Sequence, residues 1–190
     1  MATQTESPSR PNGVDVEQLI RTVAAIREQP DLARFTFRAH TDWQDGGYSR
    51  TTIHGFAGAG TQDTSRQTPF VLDGDEPPVL LGANRGPNAV EVILHALASC
   101  LAVGFVYNAA AQGIRVESLD FDVQGELDLH GFLGLSDSIR PGYQSVTVTY
   151  RAKTDAPREK VEALCAYVQK TSPVLDILRN PVAVRVTLAD

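Results

Sequence analysis

The stretch GPNAVEVILHALASCLAVGFVYNAAAQG, Gly86 to Gly113, decides the reading of the whole chain. From Val90 onward, Ile93, Leu94, Ala96, Leu97, Ala98, Cys100, Leu101, Val103, Phe105 and Val106 fall on nearly every face of a helix, and a helix apolar all round belongs in an interior. Gly86-Pro87-Asn88 supplies a turn and a cap, and Gly113 suits a left-handed stop. The segment is about 25 residues, roughly 37 Å at 1.5 Å per residue, enough to cross a small domain with other elements wrapped around it. A membrane span is the rival reading, and it is set aside on length. Val92 to Tyr107 runs for 16 residues with Gly104 inside it and His95 and Ser99 as polar breaks, whereas spanning takes about 20 apolar residues. No basic flank or signal peptide accompanies it.

Working outward, 190 residues with 42% hydrophobic content suit one soluble globular domain able to bury a core without staples. A formal charge of -6 excludes the basic footprint of a nucleic-acid binder. The two cysteines, Cys100 and Cys165, stand 65 positions apart and form neither a disulfide framework nor a zinc spacing. His40 and His130 show no ligand spacing either, so no metal and no cofactor are expected. Without an export signal the expected location is cytoplasmic, with reduced thiols.

Residues 1–13 read as a flexible tail and residues 14–190 as a single domain. Val16, Leu19, Ile20, Val23 and Ile26 give a surface helix with one packed face, ended by Pro30. Phe35, Phe37, Ala39 and Trp43 then alternate, and Asp45-Gly46-Gly47 turns the chain into a partner strand over Tyr48–Phe56. A loop over Ala57–Pro69, a short strand at Phe70–Leu72 and the strand-breaking Pro77-Pro78 lead to the long helix. Beyond it, alternation from Ile114 to Leu129 changes phase near Glu117-Ser118, which predicts a bulge. A loop over His130–Gly142, a strand at Val146–Tyr150, a helix with Val161, Leu164, Cys165 and Val168 on one stripe, a short helix opened by Ser172-Pro173, and a last strand over Val182–Leu188 complete the order. That order favours α+β.

Asp75-Glu76-Pro77-Pro78, Gly82, Gly86-Pro87-Asn88-Ala89-Val90-Glu91 and Ala96-Leu97-Ala98-Ser99-Cys100 resemble the signature of the osmotically inducible protein C and organic hydroperoxide resistance family. Ser172-Pro173-Val174 resembles that family's Cys-Pro-Val element. The resemblance covers roughly residues 34 to 189, leaving the N-terminal helix (14–30) outside the strongest match. It implies an α+β fold with antiparallel sheets around a long buried helix, an intertwined homodimer with sites at the subunit interface, and thiol-dependent reduction of organic hydroperoxides. Cys100 matches the attacking cysteine, and Arg50, with Arg38 as the alternative, matches the arginine that holds it as thiolate. The resolving cysteine is replaced by Ser172, which cannot form a disulfide. Val90 stands where the hydroperoxide branch carries a glutamate. Glu91, nine residues before Cys100, is roughly 180° around the helix from it.

Read without the family, a lone cysteine on an apolar helix is first a small core residue. Peroxide reduction needs a thiolate, and an ordinary cysteine is only a few per cent ionised at neutral pH. Cys100 sits too deep in the helix to use its N-terminal dipole, so a cation such as Arg50 is required. Cys165 reads as a packing residue, Ser172 as a helix cap, and His95 as a core or dimer-interface group. His54 shares a strand side with Arg50 and Thr52. Trp43 and Tyr48 flank the hairpin turn, where they either wall an apolar pocket or, as hairpin aromatics usually do, pack across strands.

The expected function is oxidative-stress defence by a cytoplasmic homodimer that reduces organic hydroperoxides through Cys100 and Arg50. An external thiol serves as reductant, and neither nucleic acid nor a membrane is a partner. The alternative is a non-catalytic relative that binds a small apolar or electrophilic ligand at the dimer interface.

Overall fold

The computed structural model describes residues 10–189. They form two compact units, one built by the chain up to Val16 together with Leu94 onward, the other by Glu17–Ile93. The boundary falls inside the long helix. Of the expected tail, residues 1–9 lie outside the described residues. In the described part, Asn12 donates to the Ile114 carbonyl at 2.8 Å and accepts from the Val116 amide at 2.9 Å.

The Glu17–Ile93 unit carries most of helix α1 (Val16–Glu28), two antiparallel three-stranded sheets and the first residues of the long helix. Strands β1 (Thr36–Phe37), β4 (Phe56–Gly58) and β5 (Thr61–Gln62) form one sheet in the order β1-β4-β5. Strands β2 (His40–Asp45), β3 (Tyr48–Ile53) and β6 (Phe70–Gly74) form the other in the order β2-β3-β6. The expected hairpin is β2–β3, turning at Gly46 with φ +55°. Each of its two expected strands is divided between the sheets, and the segment read as a loop contributes β4 and β5. No residue of α1 is buried and Ile20 is 62% exposed, so its apolar stripe is not packed as expected.

The other unit centres on α2 (Ala89–Ala111), which ends as its sequence requires. Asn88 Oδ1 accepts the Val90 amide and Glu91 returns a carboxylate to the Asn88 amide, both at 2.8 Å, a reciprocal cap. At the far end Gly113 has φ +70°, and the Gly113 and Ile114 amides close on Ala110 and Ala109. Against α2 pack the antiparallel pair β7 (Val116–Glu126) and β8 (Ser145–Thr154) and helix α4 (Arg158–Thr171). A four-residue helix α3 (Leu129–Phe132) lies in the β7–β8 connection, and α5 (Pro173–Arg179) follows α4. The register shifts between Val116 and Ser118, the expected bulge.

Leu97, Leu101, Phe105 and Ala109 of α2 join Ile114, Leu164 and Val168 in one buried cluster, with Leu119, Phe121, Val148 and Tyr150 packed against it. Gly104 permits this approach, because a Cβ there would stand 3.0 Å from Val168 Cγ1. The expectation that α2 is enclosed on every side does not hold. Its opposite face is open, with Val103 55% and Tyr107 47% exposed. At 23 residues α2 is also long and apolar enough to cross a membrane, so length does not exclude that reading. One face of it, Leu97 to Ala109, lies in the buried core cluster.

The expected last strand is not formed. Residues 181–189 have no strand pairing, and Val182, Val184, Val186 and Leu188 are all exposed. An alternating segment becomes a strand only when its amides and carbonyls find a neighbour, and no described segment pairs with it.

Candidate active site around Cys100

Cys100 lies at the start of the fourth turn of α2, partly buried, with Leu97 and Leu101 of the core beside it on the helix. Its Sγ is 3.2 Å from the Ser172 hydroxyl. Ser172 links α4 to α5 and caps α5 by accepting the Leu175 amide, also at 3.2 Å. Pro173 at the first helical position fixes the backbone direction there. The cap expected from sequence is therefore present, and Ser172 sits against Cys100, the two residues that the resemblance singled out.

Both residues open into a cavity of about 430 Å³ walled by Ser99, Val103, Gly104, Val168, Thr171 and Pro173. No wall residue carries a charge, and Thr171 directs its hydroxyl to the Tyr167 carbonyl at 3.0 Å. Such a space suits an alkyl or aryl chain. Glu91 is engaged at the start of α2, as described above, and is not among the wall residues.

Arg50 lies on β3, in the Glu17–Ile93 unit. Its Nε donates to Asp73 Oδ1 at 2.8 Å, and one terminal nitrogen donates to the Tyr48 hydroxyl at 2.9 Å. Tyr48 in turn donates to Asp73 at 3.0 Å. These bonds hold the Asp73 carboxyl below its ordinary range, through Arg50 first and Tyr48 second, and raise Arg50 above its own. Arg38 instead bonds Gln62 Oε1 at 3.3 Å.

His54 falls just beyond β3, where its ring meets the Arg66 carbonyl at 2.8 Å while Arg66 donates to the His54 carbonyl, so it does not join Arg50. His95 is exposed rather than a core group. Trp43 pairs with Ser49 rather than with Tyr48 and donates its indole N–H to the Gly46 carbonyl. Cys165 stands under β8, where burial and a hydrogen bond to Cys165 push the Tyr150 hydroxyl well above its usual value. Both cysteines are free thiols. Among the described residues no cluster of His, Cys, Asp or Glu could hold a metal ion.

Sequence reading missed Asp73 and Tyr48 as the partners of Arg50. The signal for Asp73 was available once β3 and β6 were paired, because Arg50 and Asp73 occupy facing positions in that ladder.

Several solved structures share this fold. An OsmC-like protein from Mycoplasma pneumoniae superposes with a TM-score of 0.59 at 14% identity, covering 77% of this chain and 89% of that one. An OsmC-like protein of unknown function from Vibrio cholerae gives 0.57 at 12% identity, covering 74% and 92%. An organic hydroperoxide resistance protein from Legionella pneumophila gives 0.52 at 18% identity, covering 76% and 89%. No functionally curated protein matches the sequence. The model of the family described as OsmC-like protein matches residues 82–187, which include α2, Cys100, the β7–β8 pair and Ser172. With that match over more than half of its length, and with antiparallel sheets and a long central helix arranged as in those structures, the chain belongs to the OsmC-like family, whose members include organic hydroperoxide resistance proteins.

Proposed function

We propose that this protein reduces organic hydroperoxides through Cys100 in a one-cysteine cycle, as a cytoplasmic homodimer in oxidative-stress defence. The observation that carries the reading is a free thiol lining an uncharged, largely apolar cavity, at the position that the resemblance gives to the attacking cysteine. The Cys100 thiolate attacks the terminal peroxide oxygen. The S–O bond forms, the O–O bond breaks, and the peroxide's proton leaves with the alkoxide as an alcohol. Cys100 is oxidised to the sulfenate. An external thiol then condenses with the sulfenic acid, releasing water and giving a mixed disulfide. A second external thiol restores Cys100 and carries away the disulfide.

Because the cavity walls hold no charge, the cation that favours the thiolate must come from outside them. Arg50 is assigned that role, with Asp73 and Tyr48 orienting its guanidinium. The open face of α2 beside Cys100 supports a second copy as partner, since contiguous apolar surface on a soluble chain marks an interface.

The test is the intact mass of the reduced protein after seconds with stoichiometric cumene hydroperoxide and a sulfenate trap, beside Cys100→Ser. Trapping at Cys100, absent in the variant and slowed by Arg50→Ala, is the expected result. No trapping over minutes overturns peroxide reduction and leaves ligand binding, the reading that the serine at position 172 would favour.

A further inference from the structure

Ser172 has a single hydroxyl proton and two acceptor lone pairs. One lone pair is taken by the Leu175 amide. Ser172 is 6% exposed, and the polar side-chain partner at hydrogen-bond distance from its hydroxyl, besides the Leu175 amide, is Cys100 Sγ. While sulfur is a thiol either atom can donate. Once sulfur is an anion only the serine can, and the bond becomes a charge-assisted one. Thr171, the next hydroxyl along the wall, already donates elsewhere. The junction of α4 and α5 holds Ser172 in place before any reaction, so no ordering is required at the moment of attack.

We propose that Ser172 is a catalytic hydrogen-bond donor to the sulfur of Cys100, stabilising first the thiolate and then the sulfenate. The proposal deepens the peroxidase reading and rests on it for the second of those species. The substitution of serine at this position therefore changes the course of the cycle. A cysteine there would attack the sulfenate, expelling water and forming a disulfide. A hydroxyl has no such step, stays available as donor through the oxidation, and leaves the sulfenate waiting for a thiol from solution.

Four variants separate this role from capping. Glycine keeps a helix N-cap almost as well as serine, while alanine does not. Ser172→Gly removes the donor and spares the cap, Ser172→Ala removes both, Ser172→Thr keeps both, and Ser172→Cys restores a thiol. Two rates are read on each: alkylation of Cys100 by iodoacetamide from pH 5 to 10, which needs no peroxide, and sulfenate formation with cumene hydroperoxide. Loss of one charge-assisted bond corresponds to about tenfold in rate. Ser172→Gly and Ser172→Ala are expected to slow alkylation at pH 7 by that factor and to move its profile toward alkaline pH, with Ser172→Thr close to the parent. Ser172→Cys is expected to lose about two mass units after one equivalent of peroxide, as a disulfide forms.

An unchanged alkylation profile in Ser172→Gly, or a Ser172→Thr that behaves like glycine, overturns the donor role. A parent protein that ignores peroxide while glycine still slows alkylation sinks peroxide reduction alone and leaves the donor in place.

Discussion

The two units of the chain differ in how they are held. The unit that contains Cys100 has a continuous core, in which Leu97, Phe105 and Leu164 are almost entirely excluded from solvent. The Glu17–Ile93 unit has two three-stranded sheets, yet among its described residues no apolar side chain reaches the same degree of burial. Phe35, Phe37 and Phe56 stack on one another, and Phe37 is still 69% exposed. Ladders of hydrogen bonds contribute little net free energy without apolar burial. The first unit has a buried apolar core of its own, and the second, among its described residues, does not.

The largest expected effect follows from the proposed homodimer, if the second copy covers the Glu17–Ile93 unit. Thermal stability then rises with protein concentration. Protection of the β2, β3 and β6 amides against exchange is lost on dilution below the dimer constant, while β7 and β8 stay protected by their own core. Sedimentation and hydrogen exchange over the same concentration series would check this. A monomer with protected β3 amides would break the comparison.

Among the described residues each unit buries one polar side chain, Asp75 and Ser172, and the pair sharpens the contrast. Asp75 accepts the amides of Glu76, Ala83 and Arg85 at 2.8 to 3.1 Å, fixing the turn before α2. Those bonds, Arg85's foremost, hold its carboxyl below the ordinary 3.8. A carboxyl lowered on folding contributes stability that is complete above its unfolded value and is lost as pH falls through the folded one. Asp75→Ala leaves three donors unpaired, and the melting temperature should fall by about 5 to 10 °C at pH 7. Asp75→Asn should flatten the acid limb below about pH 4. An acid limb identical to the parent's would show that the charge of Asp75 is immaterial.

A smaller effect is expected inside the sound unit. Gly104→Leu drives a side chain into Val168 and should cost about 1 to 3 kcal/mol. Gly104→Ala should come out near neutral, because about 1 kcal/mol of helix propensity offsets a contact that Val168 must relax. Urea melts of both variants measure this, and a strongly stabilising leucine would show that α2 and α4 are not closely packed.

How much of this was legible in the sequence differs between the units for the same reason. α2, α4, α5 and the β7–β8 pair each carry their periodicity against a core in the same chain, and Asn88, Gly113 and Ser172 mark their ends by local chemistry alone. In the other unit the alternation of Phe35, Phe37 and Trp43 suggested one strand where there are two, because residues 38 and 39 pass the chain from one sheet to another. Val182–Leu188 shows the limit from the other side. Its pattern is that of a strand, and pattern does not supply the neighbour. For the site, the identity of Cys100 and the place of Ser172 beside it were legible through the family motif. The hydrogen bond between them was not, because it depends on the turn that joins α4 to α5.

The smallest effect expected concerns the second thiol. Cys165 lies one stripe position from Leu164 and Val168 on α4 and shares a hydrogen bond with Tyr150. Cys165→Ala removes a small side chain and leaves the Tyr150 hydroxyl with Gln169 as its remaining partner, a loss of about 1 kcal/mol. Because Ser172, and not Cys165, is the side chain at Cys100, the variant should react with peroxide at the parent's rate and give the same trapped sulfenate by mass. A parent protein that loses about two mass units with peroxide, and a Cys165→Ala variant that does not, would instead make Cys165 the resolving thiol. Such a bridge would hold the two Cα atoms within about 7 Å of each other and would tie α4 to α2 covalently beside the contact of Gly104 with Val168.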